Sequence, residues 1–398
     1  MIRSSCILIA LSWLTSVAAG QVIDPEGPLL RTDAKLQIVE FDVTLWQMPK
    51  EGDTNPFTMQ LIVDGPWSMI DPDTLVLTVH AANELIVHKR AADFPKPDAQ
   101  GLLTLSTPMP PNPRWPLLVR VHAEGISFSS GFDQSLAAQL PWPTAWPAEV
   151  RDALAAEPLI ECDAPNIQAA VEATVGPTPK TWGSPLVVAK RLIQAACSDF
   201  NVNGQHLMYG PKKTIRGINV HGARAALAAG GGSQADLACL CIAALRAANI
   251  PARPVIAVAT KSGSRDDELV VRGEFFVPEA GWIPFDPDQL RRRGVQSRKL
   301  TDVWRGLGDC PKLDDVVPLS WSFSPKQGAK AYEAWSCWSW TRLAPLADFP
   351  LSVGTGRIQI GDKTVLTGQA NLHSQVLARR WSKGRPERVP KSPWRGGP

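Results

Sequence analysis

The sequence has very little tyrosine and histidine, and it has only one long apolar stretch. It contains 2 Tyr and 6 His in 398 residues, and no His lies between His221 and His373. A histidine-dependent site in the middle of the chain would therefore need a His from outside that interval. After the N-terminal stretch, no segment approaches the length of about 18 apolar residues that a membrane-spanning helix needs.

The chain also lacks a strong excess of either charge. Its 41 Lys and Arg oppose 38 Asp and Glu, which leaves a net charge of +3. A net charge this small gives a weak electrostatic field, which argues against a strongly cationic nucleic-acid binder. No nucleic-acid partner is therefore expected. The hydrophobic share of 44% and the charged share of 20% are typical of globular proteins and disfavour disorder, collagen and coiled coil.

The first twenty residues have the pattern of a secretory signal peptide. Arg3 precedes a short apolar run over 6–14, and the small residues of 17–20 follow as a cleavage pattern. The alternative to a signal peptide is a membrane anchor, for which this apolar run is short. The sequence therefore predicts cleavage near Ala19 or Gly20, a secreted or periplasmic protein, and no transmembrane anchor after cleavage.

Cysteine usage fits an exported protein but not a metal site. An even number of cysteines remains after cleavage and permits disulfides, among which a Cys310–Cys337 pair is favoured. The Cys239-x-Cys241 spacing is not that of a zinc site, and no His cluster accompanies it, so no metal or cofactor is predicted. The six remaining cysteines are Cys162, Cys197, Cys239, Cys241, Cys310 and Cys337.

Residues 21–142 are predicted to form a β-sandwich. Short runs rich in β-branched and aliphatic residues alternate there with turn signals built from Gly, Pro, Asp and Asn. A proline-rich linker follows at 141–147. The six strand-like runs are 35–46, 57–63, 74–80, 84–88, 102–105 and 117–122.

The remaining chain predicts a mixed domain with two extensions. Helices are expected over 149–156, 165–175, 185–198 and 233–248, and strands over 254–260, 268–277 and 282–285. The predicted organisation is a signal peptide at 1–20, the sandwich at 21–142, a mixed domain at 143–300, a Trp-rich extension at 301–378 and a basic disordered tail at 379–398.

The most informative segment is a glycine-rich loop that leads into an apolar helix. Ser233 is a good N-cap and Asp236 follows three residues later, as in a capping box. Gly230–Gly232 allow a sharp turn into the helix, and Pro251 blocks its continuation. One apolar face is formed by Leu237, Leu240, Cys241, Ala244, Leu245 and Ala248.

The order of motifs after this loop resembles the core of the transglutaminase-like superfamily. The resemblance covers about 180–300 and implies a papain-like α+β domain, so the predicted fold class is α+β: an N-terminal β-sandwich followed by a transglutaminase-like domain. It also implies acyl transfer or hydrolysis at amide bonds by a Cys-His-Asp triad. The motifs are Leu245-Arg246-Ala247, Ile250-Pro251-Ala252-Arg253, Glu274-Phe275-Phe276-Val277-Pro278, Gly281-Trp282 and Phe285-Asp286-Pro287.

Two of the three catalytic positions of that family hold unsuitable residues. The family places its Cys twelve residues before Arg246, which is Gln234 here, and its His eleven residues before Gly281, which is Val270. Asp286 alone matches the third position. In the family pattern the thiolate at a helix N-terminus is stabilised by the helix dipole, and the carboxylate orients the His.

The resemblance therefore predicts a pseudoenzyme. Loss of the nucleophile or the base of such a triad costs about 10⁶ in rate. The remaining cleft would bind a peptide or protein segment, with Trp282, Glu274 and His221 as candidate binding residues. Trp282 could equally cover the core, and His221 could be ordinary polar surface.

Several alternatives remain open from the residues alone. An active cysteine acyl-transferase or protease could use Cys239 or Cys241 with a distant His, although buried thiols have raised pKa values. A structural protein could bind through its sandwich and keep the second domain as a spacer. For Ser233 an N-cap is favoured over a nucleophile, and for Asp286 a turn or cap before Pro287 is favoured over a catalytic role.

Overall fold

The computed structural model describes ten segments of the chain. They are 27–45, 56–81, 84–108, 117–209, 215–259, 268–309, 316–324, 335–339, 351–359 and 387–388. The signal-peptide prediction and Cys310 of the favoured disulfide lie outside these residues. Cys337 carries a free, buried thiol.

The N-terminal part is built from antiparallel strands, as the turn signals predict. Each of the six predicted runs overlaps an observed strand, and a short helix α1 (Gln134–Ala137) follows the last one. The strands are β1 (Leu29–Leu45), β2 (Phe57–Ile62), β3 (Ser68–Ala81), β4 (Glu84–Arg90), β5 (Leu102–Thr107) and β6 (Leu117–Phe132).

Strand β3 begins six residues before the predicted run because a bulge accommodates Pro72. The register between β3 and β6 shifts between Asp71 and Val76. At this bulge the Thr74 hydroxyl donates to the carbonyl of Asp71 over 2.7 Å and accepts from the N–H of Glu124 over 2.8 Å. A proline that would end a regular strand is thus tolerated at an irregular position.

The remaining elements alternate between helices and short strands. The two helices predicted at 165–175 and 185–198 are confirmed as α2 (Pro165–Val175) and α3 (Pro185–Ser198). The segment predicted as a helix at 149–156 is instead a 3₁₀ helix, Ala148–Leu154, with Val150 as its only buried residue. The other helices are α4 (Ala223–Ala229), α5 (Gln234–Ala247) and α6 (Pro287–Arg292).

Eleven further strands follow β6 among the described residues. They are β7 (Asn201–Val202), β8 (Leu207–Tyr209), β9 (Ile215–Ile218), β10 (Gly231–Gly232), β11 (Ala252–Ala259), β12 (Glu268–Val277), β13 (Gly281–Phe285), β14 (Val316–Ser320), β15 (Trp338–Ser339), β16 (Leu351–Gln359) and β17 (Glu387–Arg388).

Two sheets form the sandwich. The larger sheet has the order β4-β3-β6-β1-β16-β9-β8, with β17 paired beside β1, and the smaller sheet has the order β15-β2-β5. Because side chains alternate along a strand, each sheet presents one apolar face to a shared core. Buried residues of the two faces include Leu75, Leu77 and Val79 from β3 and Phe57, Met59 and Leu61 from β2.

Helix α5 is the central helix of the second part of the fold. Twelve of its fourteen residues are buried. It contacts helices α2, α3, α4 and α6 and also strands β11 and β12 of an antiparallel sheet with the order β13-β12-β11-β14. The alternation along β12 sends Leu269 and Val271 into the core that contains α5, and Val270 and Arg272 to the opposite face. These helices and strands give the α+β class that the sequence predicts.

The segment after residue 300 returns to both parts of the fold. Strand β14 pairs with β11, whereas β15 pairs with β2 and β16 pairs with β1. The predicted domain limits stay a prediction. Segments from both sides of residue 142 share the larger sheet, so this sheet is not confined to 21–142. In the predicted basic tail, β17 pairs with β1 and the other residues lie outside the described chain. No helix among the described residues is long and apolar enough to cross a membrane.

Candidate functional site

The start of α5 is closed by a capping box, as the sequence predicts. The Ser233 hydroxyl accepts from the N–H of Asp236 over 3.1 Å and donates to the carbonyl of Asn219 over 2.7 Å. The Asp236 carboxylate accepts in return from the N–H of Ser233 over 2.9 Å. The Ser233 hydroxyl is therefore engaged on both sides, which supports its interpretation as an N-cap.

Asp236 also holds the loop that precedes α4. Its fully buried carboxylate accepts from the backbone N–H groups of His221 over 2.6 Å and Gly222 over 3.1 Å. The His221 ring nitrogen Nδ1 lies 3.4 Å from Oδ2 of Asp236, while 67% of the His221 side chain is exposed. His221 thus lies at the N-terminal end of α5, where the sequence suggested that it could approach.

Gln234 occupies the first position of α5 and is half-buried. This is the position that the resemblance assigns to the nucleophile. An amide side chain has no ionisable proton and forms no covalent intermediate of the kind that a thiolate forms. The N-terminus of α5 would lower the pKa of a thiol at this position, but the side chain there is an amide.

Asp286 is the N-cap of α6, and its charged neighbour is an arginine. Its carboxylate accepts from the N–H of Gln289 over 3.0 Å. Its Oδ2 lies 3.7 Å from Nε of Arg272. The register of β12 and β13 pairs Gly273 with Phe285, which places Arg272 opposite Asp286. The charged group beside Asp286 is therefore a guanidinium, which stays protonated and cannot act as a base.

Val270 lies two residues before Arg272 on the same face of β12. It packs against an apolar cluster that includes Val255, Ala257 and Trp321. In an antiparallel pair this position is diagonal to Asp286. The assignment of the base position to Val270 rests on sequence spacing and stays a prediction, whereas the contact with Asp286 belongs to Arg272.

The sandwich covers the face of β12 that carries Arg272. A cavity of about 30 Å³ lies between the two parts of the fold. On the sandwich side it is bordered by Trp67, Phe128 and Ser130. On the other side it is bordered by Arg272 and Glu274. A space of this size holds about one water molecule and not a peptide segment.

Arg253 fixes the residues that the sequence proposed for binding. Its guanidinium donates to the Glu274 carboxylate over 2.8 Å and lies between the rings of Trp282 and Trp321, 3.9 Å and 3.6 Å from their centroids. Burial raises the pKa of Glu274, and the charge of Arg253 opposes that rise. Trp282 is only 7% exposed. A ligand-binding role of Trp282 and Glu274 stays a prediction, and both side chains are occupied inside the protein.

The described thiols are all buried. Burial raises the pKa of Cys239 and Cys241 well above the usual value, and Cys241 is hydrogen-bonded to Cys197. Burial also raises the pKa of Cys162, and it raises that of Cys337 to about 12. Because the thiolate is the nucleophile, the raised pKa values of these four groups suppress their reactivity. No group of three or more His, Cys, Asp or Glu side chains in the described part could hold a metal ion.

A second cavity, of about 180 Å³, lies among α2, α3, α4 and α5. Its walls are mostly aliphatic, and Asp199 is its only titratable residue. The sequence gives no signal for it, since its walls combine side chains from four separate helices. Sequence spacing also missed Arg272 as the partner of Asp286, because that contact depends on the strand register.

Comparison with known proteins identifies one family. Residues 177–287 match the transglutaminase-like superfamily, which confirms the resemblance of the motifs. No curated protein matches the chain significantly. A solved structure of a candidate cysteine protease from Cytophaga hutchinsonii has 13% identity over 85% of this chain and 96% of that chain, with a TM-score of 0.47.

A second solved structure is more distant. It is a candidate protease from Parabacteroides distasonis with 10% identity over 64% of this chain and 58% of that chain, and a TM-score of 0.23. At these TM-scores neither structure supports an argument about this chain. The likeness to the transglutaminase-like superfamily therefore rests on the match over 177–287.

Proposed function

We propose that the transglutaminase-like domain of this chain is a pseudoenzyme that binds a peptide or protein segment. In this proposal the protein is exported, and the domain acts as a binding or scaffolding module without turnover. The observation that carries the absence of turnover is the contact of Arg272 with Asp286, the residue that matches the third triad position. It coincides with Gln234 at the start of α5.

The chemistry of these residues supports the absence of catalysis. A triad needs a nucleophile, a group that accepts its proton near neutral pH, and a carboxylate that orients that group. Gln234 supplies no nucleophile, and a guanidinium remains protonated at any ordinary pH. The ion pair with Arg272 engages the one matching residue, Asp286, in a different contact.

The alternative of a relocated nucleophile is less well supported. Cys239 and Cys241 have no exposed surface, and their pKa values are raised. A substrate carbonyl would have to reach the interior of α5 to meet either sulfur. Complete burial of the sulfur is typical of structural cysteines, which pack as small apolar side chains.

The first experiment separates the two functions by thiol reactivity and turnover. Amide hydrolysis and amine incorporation are measured on glutamine-containing peptides, and the folded protein is treated with iodoacetamide. We expect no turnover and no alkylation of Cys162, Cys197, Cys239, Cys241 and Cys337, and full alkylation of all of them in urea. Turnover that disappears in Cys239→Ser or Cys241→Ser, but persists in Cys337→Ser, would contradict the proposal.

The second experiment restores the missing groups. Gln234→Cys alone should give a thiol that is alkylated in the folded state, because its position is half-buried at the start of α5. Adding Arg272→His places an imidazole opposite Asp286, and adding Val270→His tests the position given by the spacing. Of the two double variants, the one whose imidazole reaches the introduced thiol should have the lower thiol pKa, measured from a pH profile of alkylation. Failure of Gln234→Cys to react in the folded protein would show that α5 no longer opens onto a cleft.

A further inference from the structure

We propose that a basic face beside α3 binds anionic lipid membranes peripherally. This face is formed by Lys180, Trp182, Arg191, Arg298, Lys299 and Val303. It lies outside the triad positions, and the proposal goes beyond the pseudoenzyme function and does not depend on it.

Helix α3 holds one half of this face through two long side chains. The Lys190 ammonium donates to the carbonyls of Leu300 and Asp302 over 3.1 Å and 2.8 Å. The Gln194 amide donates to the carbonyl of Arg298 over 2.8 Å. The loop that carries the basic side chains is therefore fixed to the helix by its backbone, while the Arg298 and Lys299 side chains are exposed.

The other half of the face is a 3₁₀ turn, Pro179–Trp182, that packs on the same helix. The Arg191 guanidinium lies 5.5 Å from the centroid of the Trp182 ring. At about 100° per residue, Arg191 lies about 60° around α3 from Gln194, so the turn and the loop pack on adjacent sides of the helix. Lys180 belongs to the same turn, and its ammonium lies 5.7 Å from the Trp142 ring.

Positive charge is concentrated in the loop. Residues 293–305, which follow α6, contain four Lys and Arg and one acidic residue, Asp302, whereas the whole chain has a net charge of only +3. The Asp302 carboxylate is bound to the backbone N–H of Lys299 over 3.1 Å. Asp288 forms ion pairs with Arg291 and Arg292 on α6, not with the side chains of the loop. An anionic surface would meet this excess directly.

Two exposed apolar side chains favour a membrane over a soluble polyanion. Trp182 is 46% exposed and Val303 is 58% exposed, and they are two of the five large hydrophobic residues exposed in the described part. A tryptophan beside basic residues is typical of a lipid interface, where the ring lies at the headgroup level. A polyanion without apolar groups, such as heparin, would use the charges alone and would gain nothing from these two residues.

The test measures co-sedimentation of the full chain with vesicles. We expect binding to vesicles with one quarter phosphatidylglycerol in phosphatidylcholine, and none to phosphatidylcholine alone. Each basic residue near an anionic surface contributes about five-fold in affinity. Arg298→Gln/Lys299→Gln should therefore weaken binding about 30-fold, and Val303→Ser should weaken it several-fold.

A matched variant removes the same charge elsewhere. Lys96→Gln/Arg224→Gln changes two exposed residues outside the basic face and should bind as the parent does. Equal weakening in both double variants, or equal binding to neutral vesicles, would overturn the proposal. Binding to soluble heparin without any binding to anionic vesicles would overturn it as well, since the ligand would then be a polyanion. Far-UV circular dichroism confirms that each variant is folded.

Discussion

At the scale of single residues, Asp236 connects the most features of the candidate site. One buried carboxylate satisfies the N–H groups of Ser233, His221 and Gly222. It therefore caps α5 and fixes the loop that leads into α4. The sequence predicted the capping box from the spacing of Ser233 and Asp236, but it could not predict the contacts with the loop, since they join residues that are distant along the chain.

Asp236→Ala should destabilise the protein strongly. It leaves three backbone donors without their acceptor, and two of them are buried. Each buried donor costs on the order of 1–3 kcal/mol, so we expect a loss of about 4 kcal/mol in the free energy of unfolding. Asp236→Asn keeps one acceptor oxygen and should lose about half as much. Urea denaturation measures both values.

The control for this prediction is Asp133→Ala at the exposed start of α1. Asp133 accepts from the N–H groups of Ser135 and Leu136, which water can also satisfy. The expected loss is about 1 kcal/mol, as for an ordinary N-cap. Equal losses at Asp133 and Asp236 would show that the loop contacts of Asp236 contribute nothing.

At the scale of elements, Arg253 binds neighbouring strands together. It lies on β11, Glu274 on β12, Trp282 on β13, and Trp321 directly after β14. One guanidinium therefore contacts side chains from each strand or strand end of the four-stranded sheet. The ion pair is buried, and a buried charge without its partner is costly.

A double-mutant cycle tests this arrangement. Arg253→Met leaves the Glu274 carboxylate buried and unpaired, and Glu274→Leu leaves the Arg253 guanidinium buried and unpaired. Each single variant should therefore lose about 4 kcal/mol in the free energy of unfolding. The double variant Arg253→Met/Glu274→Leu should lose far less than the sum, because neither charge remains. Additive losses would mean that the two side chains act independently.

The elements themselves were largely predictable, and their pairing was not. The helices at 165–175 and 185–198 were predicted to the residue because proline starts each one and apolar residues recur at helical spacing. β3 extends beyond its predicted run because a bulge accepts Pro72, which a local pattern treats as a strand end. The contact of Arg272 with Asp286 follows from strand register, which spacing within one segment does not determine.

At the scale of the whole molecule, one apolar core passes through both parts of the fold. A single cluster of buried residues includes Leu75 of the sandwich, Leu237 of α5 and Phe323 of the later chain. Sequence patterns gave the order of the two parts, because turn signals dominate the first and helical periodicity the second. They did not reveal that later segments complete the sandwich, since short strands such as β15 carry too few residues for a pattern.

This shared core predicts a single cooperative unfolding transition. Tryptophan fluorescence and far-UV circular dichroism should give the same urea midpoint, because neither part buries its apolar surface without segments of the other. Two separated midpoints would show that the parts unfold independently. For the same reason, point variants test the role of each part better than deletion of 21–142, which would remove part of a common core.

The antiparallel pairing of β1 with β16 joins Lys35 to Gln359, among the widest separations that this chain allows. A ribosome therefore completes nearly the whole polypeptide before the largest sheet can close. Contacts between such remote segments slow folding.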